Sequence, residues 1–293
     1  MNSTTISWVG HFVEKQSQNS GQIPWFWAAF CSALVGLTGL VPILLLPKED
    51  QKNTETNNNS NKTRKQASSL VVTDKNSNSA EEEPKWLKTI LSFAVGGLLG
   101  DVFLHLLPEA FGTVQDHSDS TLAGLCLIFG LLAFTCIEKM LQSSHSVGYL
   151  NLVANALDNF NHGLAVGAAF LVSTKVGFVT TGCILLHEIP HEVGDFAILI
   201  KSGFNRREAA KAQFLTALIG ISGAFSALTL DFLALHHRIL TLGIVPFTCG
   251  GFLHISLISV LPDLLESENL TDCGQCLIGI WSGIGTMYLA SSI

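Results

Sequence analysis

His187-Glu188-Ile189-Pro190-His191-Glu192-Val193-Gly194-Asp195 decides how this chain folds and what it handles. The nine residues lie inside an otherwise apolar stretch from Val176 to Ile200, about the length a helix needs to cross a bilayer. Ionisable side chains at membrane depth are costly and are kept there for a partner or a task. Five are crowded into this one stretch. Helical neighbours three or four apart share a face, so His187 stacks on His191, Glu188 on Glu192, and His191 on Asp195. The result is a single polar stripe. Pro190 has no N–H and its ring crowds the carbonyl of Leu186, which predicts a bend there and a carbonyl free for a ligand. Imidazole and carboxylate on a bent membrane helix suit a transition-metal ion such as Zn2+ or Fe2+. The competing reading is a hydrogen-bonded cluster that only joins helices. It accounts for one histidine more readily than for this set.

The segment before carries a second polar cluster, Asp158, Asn159 and His162, within Leu157-Asp-Asn-Phe-Asn-His-Gly163. Asp158 and His162 are four apart and point the same way. Gly163 and Gly167, with Ala165, Ala168 and Ala169, form a small-residue surface that lets another helix approach closely. Facing the first stripe, this helix brings the ligand supply to five or six side chains, enough for one metal ion or two. Other polar positions inside apolar segments are sparser. Asp101, His105 and Glu109 recur every four residues, His254 sits alone with Asp263 nearby, and Gln213 and Thr216 lie three apart. Asp101, His105, Glu109, His254 and Asp263 are candidates for lining a route to or from the metal; capping or helix pairing explains them as well.

Only 13% of the 293 residues are charged, against roughly 25% in a soluble domain, and 48% are hydrophobic. The chain therefore reads as an all-α, polytopic membrane protein. Apolar segments are expected at about 23–47, 86–108, 121–139, 147–172, 175–200, 208–230, 240–265 and 275–292. Residues 1–22 form a polar tail that does not read as a cleaved signal peptide. The stretch 48–85, rich in Asn, Ser, Thr, Lys and Glu, cannot bury enough apolar surface to fold and is expected to be a disordered loop. Thirteen of the 16 lysines and arginines lie in or beside the odd-numbered loops, which the positive-inside rule puts in the cytosol. Both termini then face the lumen or exterior, and the sequons at Asn58 and Asn61 stay unglycosylated. The net charge of −7 offers nothing to nucleic acid. Seven scattered cysteines do not make a disulfide framework, and Cys273-Gly-Gln-Cys276 lacks a second pair to complete a metal site.

The nine-residue stretch, His105-Leu-Leu-Pro-Glu109 and Gly251-Phe-Leu-His-Ile-Ser256 together resemble the ZIP (Zrt/Irt-like) divalent-metal transporters, and among them the LIV-1 subfamily. The resemblance covers roughly residues 86–293. Asp-Asn-Phe-x-His-Gly in the fourth segment is similar to the intracellular branch typified by human member thirteen. Most relatives read His-Asn-x-x-Asp-Gly there, so Asp158 and His162 exchange the usual ligand types. A long His-rich loop between segments three and four, frequent in relatives, is missing. The resemblance implies eight transmembrane helices in a 3+2+3 arrangement with a two-metal site on the fourth and fifth. By position, Asp158, Asn159, His162, His187, Glu188 and His191 would be ligands, with Glu192 and Asp195 on the release path. It implies transport of zinc, with iron in some members, towards the cytosol, as a homodimer in Golgi, vesicle or endoplasmic-reticulum membranes. The metal would be cargo, with no cofactor needed. His187-Glu-Ile-Pro-His191 also satisfies the H-E-x-x-H pattern of zinc proteases, so an intramembrane metalloprotease is the alternative.

Overall fold

The computed structural model describes residues 23–45, 84–112, 114, 116–141, 143, 145–228, 238–266 and 270–292. Among these the chain is helical and contains no strand. In order come α1 (residues 23–45), α2 (Lys85–Gly112), α3 (His117–Leu141), α4 (Ser146–Val172), α5 (Thr174–Lys201), α6 (Arg206–Leu228), α7 (Leu240–Leu265) and α8 (Leu270–Ser291). Helices α1, α2, α3, α6 and α7 are long and apolar enough to cross a membrane by length and composition. An α-helix satisfies its own backbone, the requirement for spanning hydrocarbon. The helix limits follow the expected segments closely; the largest difference is at α8, which starts at Leu270 instead of 275. The predicted tail 1–22 and nearly all of the predicted loop 48–85, with Asn58 and Asn61, lie outside the described residues.

Local chemistry sets the helix ends. Ser173 is extended between α4 and α5, and its hydroxyl accepts the Val176 N–H at 3.1 Å. Asn205 opens α6 with a reciprocal cap. Its Oδ1 accepts the N–H groups of Arg207 and Glu208 at 3.0 and 2.9 Å, while Glu208 Oε2 accepts the Asn205 N–H at 3.0 Å. The tight α5–α6 turn is completed by Gly203 at φ 89°, a left-handed conformation that favours glycine. Asp116 caps α3, and bonds from the Ser118 hydroxyl and the Asp119 N–H hold its carboxyl below the usual range.

Helix pairing rests on small residues. Gly163 and Gly167 of α4 press against Gly220, Ala224 and Ala227 of α6, so closely that a Cβ at Gly163 would overlap the Gly220 carbonyl. The small-residue surface expected on α4 is thus in use. Gly96 fits α2 to α8 in the same way, and Gly130 fits α3 to α7. α1 packs on α4 and α6, and α5 runs between α4 and α2. A buried apolar cluster that includes Leu91, Leu98, Phe134, Ile198, Phe252 and Ile255 ties α2, α3, α5 and α7 together.

Prolines mark the departures from α geometry. Wide π turns occupy Val102–Leu106, Leu240–Ile244 and His254–Val260, and a tight 3-10 turn occupies Leu37–Leu40. Each ends two residues before a proline: Pro108, Pro246, Pro262 and Pro42. A proline offers no N–H and crowds the carbonyl four residues back, which here falls inside the altered turn. Pro190 behaves differently, since α5 stays α-helical through it. The changes of turn type fall on α1, α2 and α7, not at Pro190.

Candidate metal centre

Three helices bring ligand side chains to one place. α4 contributes Asp158 and His162, α5 contributes His187, Glu188 and His191, and α2 adds Asp101 and His105. All but His105 are at most 6% exposed; His105 is half-buried. One-turn spacing on each helix aims the groups the same way. Their ligand atoms form three overlapping sets, each within 4.8 Å: His105 with His162 and His187, Asp101 with Asp158 and His191, and Asp158 with His162 and Glu188.

The first set is all imidazole. His187 Nδ1 lies 3.1 Å from the Cys183 carbonyl, which can only accept, so Nδ1 carries the hydrogen. Its Nε2 is left with a lone pair, 3.1 Å from His162 Nε2. The His105 ring centroid stands 4.6 Å from that of His187 and 6.1 Å from that of His162. Towards the other end of the cluster, His162 Nδ1 is 3.4 Å from Glu188 Oε2 and 3.9 Å from Asp158 Oδ2. His191 Nε2 is 3.9 Å from Asp101 Oδ2, and its Nδ1 is 3.6 Å from Asp195 Oδ2. Phe252 of α7 closes over the His191 ring at 5.2 Å.

Those separations fit ion pairs, and none of them is a hydrogen bond. Among the described residues, both oxygens of Asp101, both of Glu188 and both nitrogens of His191 are buried without a hydrogen-bond partner. Buried polar groups are ordinarily paired, and an unpaired buried carboxylate costs several kcal/mol. A cluster that merely joins helices closes its bonds onto itself. This one leaves its donor atoms convergent and unpaired, the arrangement a cation needs. A cavity of about 450 Å³ opens onto the imidazole end, walled by Gly100, His105 and Glu109 of α2, His162, His187, and Ser291 of α8.

The other predicted positions divide. Glu109 is exposed on the cavity wall. Asn159 turns its amide onto Asn155, donating to that side chain's Oδ1 at 2.5 Å and to its backbone carbonyl at 3.2 Å. Glu192 Oε2 accepts from Gln213 at 2.7 Å and from Asn155 at 3.3 Å, and Asn155 also bonds Asp195. His254 stands apart from the cluster. It bonds Glu138 of α3 at 2.6 Å and Thr135 at 3.0 Å, and Ser259 joins the same carboxylate at 2.7 Å. Asn155 was missed in the sequence, although Asn151, Asn155 and Asn159 repeat every turn of α4. In the sequence Asp101 reads as a candidate for lining a route, not as a member of the ligand cluster. The two histidines of the H-E-x-x-H pattern fall in different sets, whereas a protease needs both on one ion.

The ZIP Zinc transporter family matches residues 22–146 and 141–291. A protein named Zinc transporter ZIP13 from Pongo abelii is 44% identical over 91% of this chain and 78% of its own length. The Zinc transporter ZIP13 homolog of Drosophila melanogaster is 36% identical over 90% of this chain and 88% of its own length, and Zinc transporter ZIP13 of Danio rerio 39% over 91% and 87%. Matched along nearly its whole length, the chain belongs to the ZIP zinc-transporter family, as a ZIP13-like member of the LIV-1 subfamily.

Proposed function

We propose that this protein carries zinc across a membrane towards the cytosol through the α4–α5 cluster, with Asp158, Asn159, His162, His187, Glu188 and His191 as ligands. The observation that carries the reading is the convergence of buried, unpaired imidazole and carboxylate atoms in one cluster, whose imidazole end, His105, His162 and His187, lines an open cavity. Relatives named as zinc transporters supply the cargo; iron is a second cargo on the same donor types. His105 and Glu109 line the way in, while Glu192 and Asp195 lie further along α5 on the way out. All of α1 to α8 cross the bilayer in a 3+2+3 order, α4 and α5 between α1–α3 and α6–α8. The 13-to-3 split of basic residues supports lumenal termini and a cytosolic 48–85 loop. Residence in Golgi, vesicle or endoplasmic-reticulum membranes and a homodimeric state complete the reading.

Uptake of Zn2+ by proteoliposomes tests it. Wild type should fill the vesicles; His187→Ala and His191→Ala, reconstituted in equal amounts, should not. Near-normal uptake by either variant removes the ligand assignment. A peptide-cleavage assay on the same preparation should stay silent, because splitting His187 and His191 between two sets leaves no single zinc-water centre for Glu188 to serve.

A further inference from the structure

We infer that Glu138 of α3 is a positioning residue for transport. It holds a π turn in α7, and that turn sets the register in which Asp263 meets Lys201 and shuts the end of α5 remote from the cavity. The inference rests on the transport reading and adds a control on release that lies outside the metal cluster.

The bonds around Glu138 come first. His254 is 1% exposed, and its Nε2 bonds Glu138 Oε2 at 2.6 Å; the Ser259 hydroxyl donates to the same oxygen at 2.7 Å. His254 Nδ1 lies 3.0 Å from the Thr135 hydroxyl, so both ring nitrogens are tied to α3. His254 and Ser259 are five residues apart, yet their polar atoms are only 3.3 Å from each other. In an α-helix, with about 3.6 residues per turn, such a pair points in well-separated directions. The π turn His254–Val260 closes its bonds five residues back, as the Leu261 N–H does on the Ser256 carbonyl, and lays the two side chains on one face. One carboxylate oxygen thus clasps both. Pro262 follows the turn, but a proline is not enough to make one, since α5 stays regular through Pro190.

The segments on either side of the turn are held unequally. Before it, α3 and α7 lie so close that a Cβ at Gly250 would overlap the Leu127 carbonyl, and Phe252 covers His191. Beyond it stands Asp263, whose Oδ2 is 2.8 Å from Lys201 Nζ. Lys201 is the next ionisable residue of α5 after Asp195. Its ammonium is buried, and Asp263 is the one acid within ion-pair distance of it among the described residues. A cation moving past Asp195 meets this ammonium next, and like charges repel. While Asp263 holds Lys201 in place, that end stays shut. Relaxation of the π turn to α geometry takes one residue out of it, which rotates the segment beyond by about 100° and shifts it by about 1.5 Å. Asp263 then loses Lys201.

Labelling reads the pair without transport. In detergent, Lys201 of wild type should react with a water-soluble acetylating reagent far more slowly than exposed Lys211, as measured by mass spectrometry. Glu138→Leu and Asp263→Asn, checked by chromatography, should lose that protection. Glu138→Gln should keep it, because one amide oxygen can serve both bonds. Ser259→Ala removes only the second bond and should lose part of the protection, which keeps the test open if Glu138→Leu does not fold. In proteoliposomes, an open pair lowers the fraction of chains that present the cavity. Glu138→Leu and Asp263→Asn should therefore each raise the KM for Zn2+ by about fivefold with the maximal rate retained. Damage to folding alone lowers the maximal rate instead. The double variant should match either single one, since Glu138 acts through Asp263; independent sites would multiply their effects. Met140→Leu, on the exposed face of α3, should equal wild type. Protected Lys201 or unchanged KM in the folded Glu138 and Ser259 variants, loss of protection in Glu138→Gln, or multiplied KM effects overturns the inference. Labelling as expected with no uptake by wild type sinks only transport, while wild-type uptake with Lys201 as reactive as Lys211 sinks only the lock.

Discussion

Asp158 and His162 each belong to two of the three ligand sets, which makes them the most informative pair of residues in the molecule. Exchanging them, by Asp158→His with His162→Asp, keeps the ligand inventory and the charge. It moves a carboxylate to the imidazole end and an imidazole to the carboxylate end. Either single change leaves an uncompensated charge or a surplus one in a buried place, a cost of about 3–5 kcal/mol. Both single variants should therefore transport poorly, and the double variant should regain flux with an altered Zn2+ to Fe2+ ratio. Vesicle uptake of both metals across the four-member cycle decides the matter; a double variant as inactive as the singles would mean that position governs binding, and inventory does not. At this scale the α4 and α5 groups were legible because one-turn spacing of ionisable residues inside an apolar run has few explanations. Asp101 was not, because its spacing with His105 and Glu109 fits a lined route equally well. Only the packing of α2 against α5 turns it towards His191.

Among the helices, glycine placement decides how closely α4 can lie along α6 and so where His162 and Asp158 end up. A side chain at Gly163 meets the Gly220 backbone, which cannot move aside as a side-chain tip would. Gly163→Val should cost at least about 1–3 kcal/mol, lowering the melting temperature and weakening zinc binding although no ligand has changed. Gly182 of α5 has nothing within 4 Å of an added Cβ. Gly182→Ala should leave binding intact and hold or raise the melting temperature, since alanine is the better helix former by about 1 kcal/mol. Equal melting temperatures for the two variants would show that the α4–α6 contact does not set the site. Helix positions were readable from hydropathy, and the small-residue face of α4 from composition. The turn type before each proline was not. The same missing N–H accompanies a π turn at Pro108, a 3-10 turn at Pro42 and regular helix at Pro190, so the neighbouring helices, and not the proline alone, choose the outcome.

Across the whole molecule, charge and packing bear independently on orientation. Successive membrane-crossing helices alternate in direction, so α5 and α7 should end on one side and α3 and α7 should begin on the other. Two ion pairs agree. Lys201 at the end of α5 reaches Asp263 near the end of α7 at 2.8 Å, and Arg238 just before α7 reaches Asp119 at the start of α3 at 2.6 Å. The odd-numbered loops and most of the basic residues belong to the first side, which the positive-inside rule predicts to face the cytosol. The cavity opens on the opposite side, at the end of α2 and the beginning of α5. With that orientation, metal taken up there and released past Glu192 and Asp195 would move into the cytosol. Orientation and direction of transport are thus one prediction. In sealed vesicles whose cytosolic face is outward, protease should remove a tag placed within 48–85 and spare one at the C-terminus. With that orientation Asn58 and Asn61 should carry no glycan, since a cytosolic loop does not meet the lumenal glycosylation machinery. A protected loop tag, a cleaved C-terminal tag and glycosylated sequons would reverse the orientation, and with it the side from which the three imidazoles are reached.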